Sequence, residues 1–132
     1  MKFSTTIKRE YWEEKLESVE QRGYFYEYKA DTPFWHKRLS KLRENLPTEG
    51  VFLVGSEVKK VVITEILKVH VNQIPEKYKD IEKYKDMFHT DYVWVLRCWF
   101  VGEEKFHTDH AWFLKCWFVG GENDKKEAEK EP

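Results

Sequence analysis

Residues 88–105 read FHTDYVWVLRCWFVGEEK, and residues 106–123 read FHTDHAWFLKCWFVGGEN. The two stretches are identical at 12 of 18 aligned positions. The centre of each is rich in aromatic and branched side chains, which is typical of a β-strand. We therefore predict that the fold needs one strand here, and that a tandem duplication supplies two.

The differences between the copies predict which side of the strand faces the core. Strand side chains alternate between two faces. The face of Trp94, Leu96, Cys98 and Phe100 recurs unchanged, whereas three of the four changes within the strand fall on the face of Arg97. We expect the unchanged face to be the core face. We also expect the first copy to enter the sheet, because it keeps the shorter connection.

The composition limits the possible function classes. The chain has 132 residues and a net charge of −1, so any attraction to nucleic acid must come from a local basic patch. It contains no apolar run of 18 residues, and its start lacks the apolar segment of a signal peptide. We expect a cytoplasmic protein with no membrane partner, in which both cysteines are reduced.

The rest of the sequence predicts alternating strands and helices. Thr32 and Pro33 form a helix start, with a hydroxyl N-cap and proline at the first helical position. Trp35 lies on the apolar face of this helix, so we expect it to pack in the core. The predicted elements are a strand in 1–7, helix 8–20, strand 24–29, a helix from 33, strands 51–54 and 58–71, and helix 75–87. This order predicts a single α+β domain, residues 1–121, around a small curved sheet or barrel. The charged tail 122–132 is expected to be disordered.

The stretch from Glu27 to Leu39 reads EYKADTPFWHKRL. It resembles the ASCH family, a branch of the PUA-like barrels. Many members carry a Glu-x-Arg strand end, then an aromatic segment and a basic Lys-Arg-Leu on a helix; here Lys29 replaces the arginine. The resemblance covers about residues 3–101. It implies a small PUA-like β-barrel with two or three flanking helices, to which this chain adds a C-terminal strand.

The resemblance implies an RNA or nucleotide-like ligand in a cleft lined by Glu27, Lys29, Phe34, Lys37 and Arg38. The residues themselves favour such a role. Glu27 and Lys29 share one face of a strand. Lys37 and Arg38 lie in the first turns of a helix, where free N–H groups also attract phosphate. Phe34 lies off the apolar helix face and is the candidate for stacking on a base.

Two alternatives remain open at the sequence level. The first is an enzyme of the same family, a nucleoside amidohydrolase or an RNA-cleaving protein. Active amidohydrolase members use a Lys and a Thr in the turn before the second strand, where this chain has QRGY at residues 21–24; we therefore lean against catalysis and assign no catalytic residue. The second is a protein whose duplicated strand exchanges, docks alternatively or forms a homodimer.

Metal and cofactor chemistry has weak support in the sequence. His107, Asp109 and His110 are potential zinc ligands. Their set exists only in the second copy, because Tyr92 stands where His110 would be in the first. No Gly-rich phosphate loop is present. We predict no metal site and no cofactor.

Overall fold

The computed structural model describes residues 2–105, apart from the side chains of residues 79, 104 and 105. It contains five strands, two α-helices and one 3₁₀ helix. In chain order these are β1 (Phe3–Thr6), α1 (Arg9–Arg22), β2 (Tyr24–Ala30), α2 (Pro33–Arg43), β3 (Thr48–Val54), β4 (Glu57–His70), the 3₁₀ helix (Glu76–Met87) and β5 (Tyr92–Lys105). The predicted order of elements is confirmed over this part of the chain.

The strands form one mixed sheet that is curled into a half-barrel. The strand order is β1-β3-β4-β5-β2, with β1 parallel to β3 and the other neighbours antiparallel. The curl brings the two edge strands together. Lys29 Nζ on β2 donates a hydrogen bond of 2.8 Å to Thr5 Oγ1 on β1. The predicted α+β class is therefore confirmed. We call the place where β1 and β2 face each other the seam.

The first copy of the repeated sequence forms an interior strand of the sheet. β5 pairs with β4 on one side and with β2 on the other. A strand in this position is hydrogen-bonded on both edges, so it ties the two halves of the sheet together. The second copy lies outside the described residues. The structure therefore does not test the predicted extra strand, a pairing of Cys98 with Cys116, homodimer formation or the tail at 122–132.

Both faces of β5 are buried at residues 93–96, which corrects the expectation of a single core face. Trp94, Leu96 and Cys98 belong to the main core, as predicted. Val93 and Val95 on the opposite face are also buried, in a second apolar cluster with Tyr78 and Ile81 of the 3₁₀ helix. The substitution pattern did not reveal this second layer because most of the changes between the copies fall on this face, which also carries the charged Arg97.

The helix that covers this second face is a 3₁₀ helix, where the sequence predicted only a third helix over 75–87. Its inward residues, Tyr78, Ile81 and Tyr84, are spaced by three, and a 3₁₀ helix has three residues per turn. They therefore fall on one side. Tyr78 itself has φ −111° and breaks the helix, while its hydroxyl donates to Glu65 Oε1 at 2.8 Å.

The two α-helices begin and end at the expected signals. Thr32 caps α2 by accepting a 3.3 Å hydrogen bond from Trp35 N, and Pro33 opens the helix. Gly23 ends α1 with φ 85°, the left-handed conformation that glycine adopts without strain. β3, however, starts at Thr48 rather than at residue 51, so the segment after α2 enters the sheet earlier than predicted. Among the described residues, none of the helices has the length and apolar character needed to cross a membrane.

Candidate functional site

A buried carboxylate lies at the seam of the half-barrel. Glu27 projects from β2 and is only 7% exposed. Its Oε1 atom lies 3.1 Å from Lys15 Nζ, and its Oε2 atom lies 3.7 Å from Lys29 Nζ. It also accepts a 3.0 Å hydrogen bond from Tyr28 N. We call Lys15, Glu27 and Lys29 the seam cluster.

Lys15 reaches the seam from α1 and was missed by the sequence analysis. Its Nζ donates to Tyr26 O at 3.0 Å in addition to pairing with Glu27. Lys15 follows the buried Trp12 by three residues, so both lie on the side of α1 that faces the sheet. The sequence signal for this position was a lysine, Lys15, that falls at helical spacing on the apolar side of α1.

Lys29 joins three elements. Its ammonium donates to Thr5 on β1, pairs with Glu27 on β2, and lies 4.9 Å from the ring centroid of Trp35 on α2. A cation over an indole ring is stabilised by the ring's negative face. The sequence predicted that Glu27 and Lys29 share a face, and the structure brings them together. Trp35 is buried, as its place on the apolar helix face predicted.

The charges of the seam cluster are not balanced. Burial alone would raise the pKa of Glu27, but Lys15, Lys29 and the Tyr28 N–H together lower that pKa below its ordinary value of 4.5. The carboxylate is therefore ionised at neutral pH. Among residues 2–105, two ammonium groups then face one carboxylate, which leaves one positive charge on side chains that are only 10–15% exposed.

The three predicted residues of α2, Phe34, Lys37 and Arg38, differ in their exposure and in their contacts. Lys37 is exposed, whereas Arg38 is only 4% exposed. The Arg38 guanidinium lies 5.3 Å from the Phe34 ring centroid, and Phe34 packs edge-on against Trp35 at 5.0 Å. Phe34 is half-buried against the main core, so its ring is not an open stacking platform. Of the five predicted residues, Lys29 therefore contacts Glu27, and Arg38 contacts Phe34.

A second charged group, the hairpin cluster, lies near the β3–β4 turn and consists of Arg9, Glu57, Lys59 and Glu103. Glu57 Oε1 lies 3.0 Å from Arg9 Nη1 and 2.8 Å from Lys59 Nζ, and Lys59 also hydrogen-bonds Glu103. Hydrogen bonds from Lys59 and Arg9 lower the pKa of Glu57 to about 2. This cluster therefore holds two cations and two carboxylates, and its charges balance.

Nucleophilic and metal chemistry find little support in residues 2–105. Cys98 is fully buried, and burial raises the pKa of its thiol well above the ordinary value, so it stays protonated. Its Sγ points to Leu96 O at 3.9 Å rather than to a base. Within the same range, the His, Cys, Asp and Glu side chains form no group of three that could hold a metal ion.

The outer edge of β2 is covered by side chains. Ser18 Oγ donates to Tyr24 O at 2.9 Å, and Lys15 Nζ donates to Tyr26 O. The next outward N–H, that of Tyr28, donates to Glu27. A cleft of about 380 Å³ opens beside this edge, between α1, β2 and the 3₁₀ helix, and Lys15 is one of its lining residues. The seam cluster is therefore presented to the cleft through Lys15.

Comparisons with protein-family models, with curated proteins and with solved structures found no match for this chain.

Proposed function

We propose that this chain is a binding module for a nucleotide-like ligand, either free or within RNA, and that the seam cluster holds the ligand's phosphate. The observation that carries the proposal is the charge excess of the cluster. A charge withdrawn from water is costly unless it is paired. An anion beside Lys15 and Lys29 supplies the missing negative charge.

The hydrogen-bonding capacity of the two lysines supports the same role. An ammonium group has three N–H donors. Lys15 uses two of them, on Tyr26 O and Glu27, while Lys29 donates to Thr5 and faces Glu27 at the longer distance of 3.7 Å. Each lysine therefore keeps a donor for a phosphate oxygen. Glu27 acts in this arrangement as the positioning residue that holds both ammonium groups in place.

The resemblance to the ASCH family adds independent support, because it singles out Glu27 and Lys29 from sequence alone. ASCH-type domains lead us to expect a nucleotide or RNA ligand rather than a small inorganic anion. The resemblance also includes enzymes. The protonated, buried Cys98 gives no reason to favour catalysis here.

The test is a binding titration with two probes, a nucleoside monophosphate by calorimetry and a fluorescently labelled single-stranded RNA octamer by anisotropy. We expect Lys29→Met to weaken binding of at least one probe by about tenfold, since a charge-assisted hydrogen bond is lost. For the RNA, the variant should also have a flatter dependence on salt.

Lys59→Met is the matched control, because Lys59 is also a buried lysine that lies over a tryptophan ring, 5.5 Å from the centroid of Trp12. We expect it to bind both probes as the parent protein does, once circular dichroism has shown that it is folded. If the parent binds neither probe, or if Lys29→Met binds both as the parent does, the proposal is wrong. The comparison of the two probes distinguishes a free nucleotide from RNA.

A further inference from the structure

One residue that lines the cleft beside β2 has a buried hydroxyl that lacks a partner. Tyr28 lines the cleft and is 8% exposed, and its hydroxyl has no hydrogen-bond partner among the described residues. Buried polar groups in native proteins are almost always hydrogen-bonded, so an exception needs an explanation. Burial raises the pKa of Tyr28, with the negative charges of Asp80 and Glu27 as smaller causes. The hydroxyl is therefore a hydrogen-bond donor at neutral pH.

The surroundings of this hydroxyl combine aromatic rings with carboxylates. The ring of Tyr84 lies 6.4 Å from the ring of Tyr28 and is inclined to it by 38°. The Tyr84 hydroxyl donates to Glu14, and the exposed Asp80 also lines the cleft. The cleft thus offers one donor hydroxyl, nearby carboxylate acceptors and a ring surface.

The charges around the cleft differ from those of the seam cluster. Three cationic and three anionic side chains line it, namely Lys15, Arg22, Lys83, Glu14, Glu17 and Asp80. Lys15 is already paired with Glu27, so the lining has no excess positive charge, and this suits a neutral polar group better than an anion. The cleft volume of about 380 Å³ lies within the usual range for small-molecule sites.

We propose that the cleft binds a nucleobase, or a heterocycle of the same polarity, and that the Tyr28 hydroxyl donates a hydrogen bond to a ring nitrogen or carbonyl oxygen. An exocyclic amine on the same base donates a hydrogen bond to the carboxylate of Asp80 or Glu14. The rim side chains of Asp80 and Lys83 are exposed, so they move aside to admit the base. This inference rests on the proposed function, because Lys15 links the cleft to the phosphate position.

The experiment separates the two halves of the ligand. Adenosine and cytidine, which lack phosphate, and inorganic pyrophosphate, which lacks a base, are titrated separately by calorimetry. We expect Tyr28→Phe to weaken binding of at least one nucleoside by about threefold to tenfold, the loss expected for one neutral hydrogen bond. Pyrophosphate binding should be unchanged in that variant and weakened in Lys29→Met.

Tyr78→Phe is the control variant. Tyr78 is buried in the same apolar cluster, but its hydroxyl already donates to Glu65. We expect it to bind nucleosides like the parent protein. If the parent binds no nucleoside, or if Tyr28→Phe binds nucleosides as the parent does, the proposed base site is wrong. This conclusion holds even if pyrophosphate binds. If nucleoside binding depends on Tyr28 and pyrophosphate does not bind, the base site stands and the phosphate site falls.

Discussion

The seam cluster and the hairpin cluster are built from similar parts and reach different charge balances. Each places a lysine over a tryptophan, Lys29 over Trp35 and Lys59 over Trp12. In the hairpin cluster, the outer partners Arg9 and Glu103 have side chains 51% and 45% exposed, so water solvates the periphery of a neutral group. In the seam cluster all three side chains are withdrawn from water and one positive charge is left over. A neutral network can be explained by stability alone, whereas the excess charge of the seam cluster is the feature on which the proposed phosphate site rests.

The strongest test of this contrast is Glu27→Gln. Removing the carboxylate leaves the largely buried ammonium groups of Lys15 and Lys29 without their common partner, and breaking a buried pair typically costs about 3–5 kcal/mol. The matched change Glu57→Gln should cost less than about 2 kcal/mol, because Arg9 is half-exposed and Lys59 keeps Glu103. Both values come from urea denaturation at pH 7. Equal losses in the two variants would show that the clusters do not differ in kind.

An intermediate effect is expected for Lys59→Met. The change removes the ammonium group that Glu57 and Glu103 share, so the free energy of unfolding should fall by about 1–3 kcal/mol. Chemical denaturation measures it directly. A variant as stable as the parent would show that the hairpin cluster makes no net contribution to the free energy of unfolding. The charge balance of that cluster could then not be explained by stability.

Acid should weaken the seam cluster in a defined direction. The folded-state pKa of Glu27 is lowered, so its contribution is fully present above about 4.5 and is lost as the pH falls through the lower folded-state value. The difference in unfolding free energy between the parent and Glu27→Gln should therefore shrink below pH 4.5, by at most about 1.4 kcal/mol per pH unit. Urea midpoints at a series of pH values test this. A difference that stays constant down to pH 2 contradicts it.

The smallest effect is expected for Lys29→Met in buffer without phosphate. This change leaves Lys15 and Glu27 as a neutral pair, and a methionine can fill the space over Trp35. The unfolding free energy should stay within about 1 kcal/mol of the parent value, or rise. Thermal denaturation is sufficient to measure it. A loss above about 2 kcal/mol would show that both ammonium groups are needed by the fold itself, which would remove the argument for an excess charge.

The sequence predicted the order of the helices and strands and two of the three residues of the seam cluster. Period-two alternation placed Glu27 and Lys29 on one face, and the Thr32-Pro33 start placed Trp35 correctly on α2. These features depend on residues that are close together in the chain, where the spacing between two residues determines whether their side chains lie on the same face of a strand or helix. Lys15 and Thr5 were missed because they meet Glu27 and Lys29 only after the sheet curls and its edge strands approach each other.

The second face of β5 and the place of Arg38 show a different limit. A basic residue near a helix start is usually solvated, yet Arg38 is buried over Phe34. Its surroundings are set by how α2 packs, which no local pattern reports. Likewise, Val93 and Val95 are buried because the 3₁₀ helix returns across them. The spacing of three from Tyr78 to Ile81 did carry that information, but it is also compatible with an α-helix.

The covered edge of β2 has a consequence for aggregation. An open sheet presents edge N–H and C=O groups that can template pairing with another molecule. Here Ser18, Lys15 and Glu27 already occupy the outward groups of Tyr24, Tyr26 and Tyr28. A neighbouring molecule could add a strand along this edge only by first displacing those three side chains. These three hydrogen bonds therefore disfavour strand addition along this edge of β2.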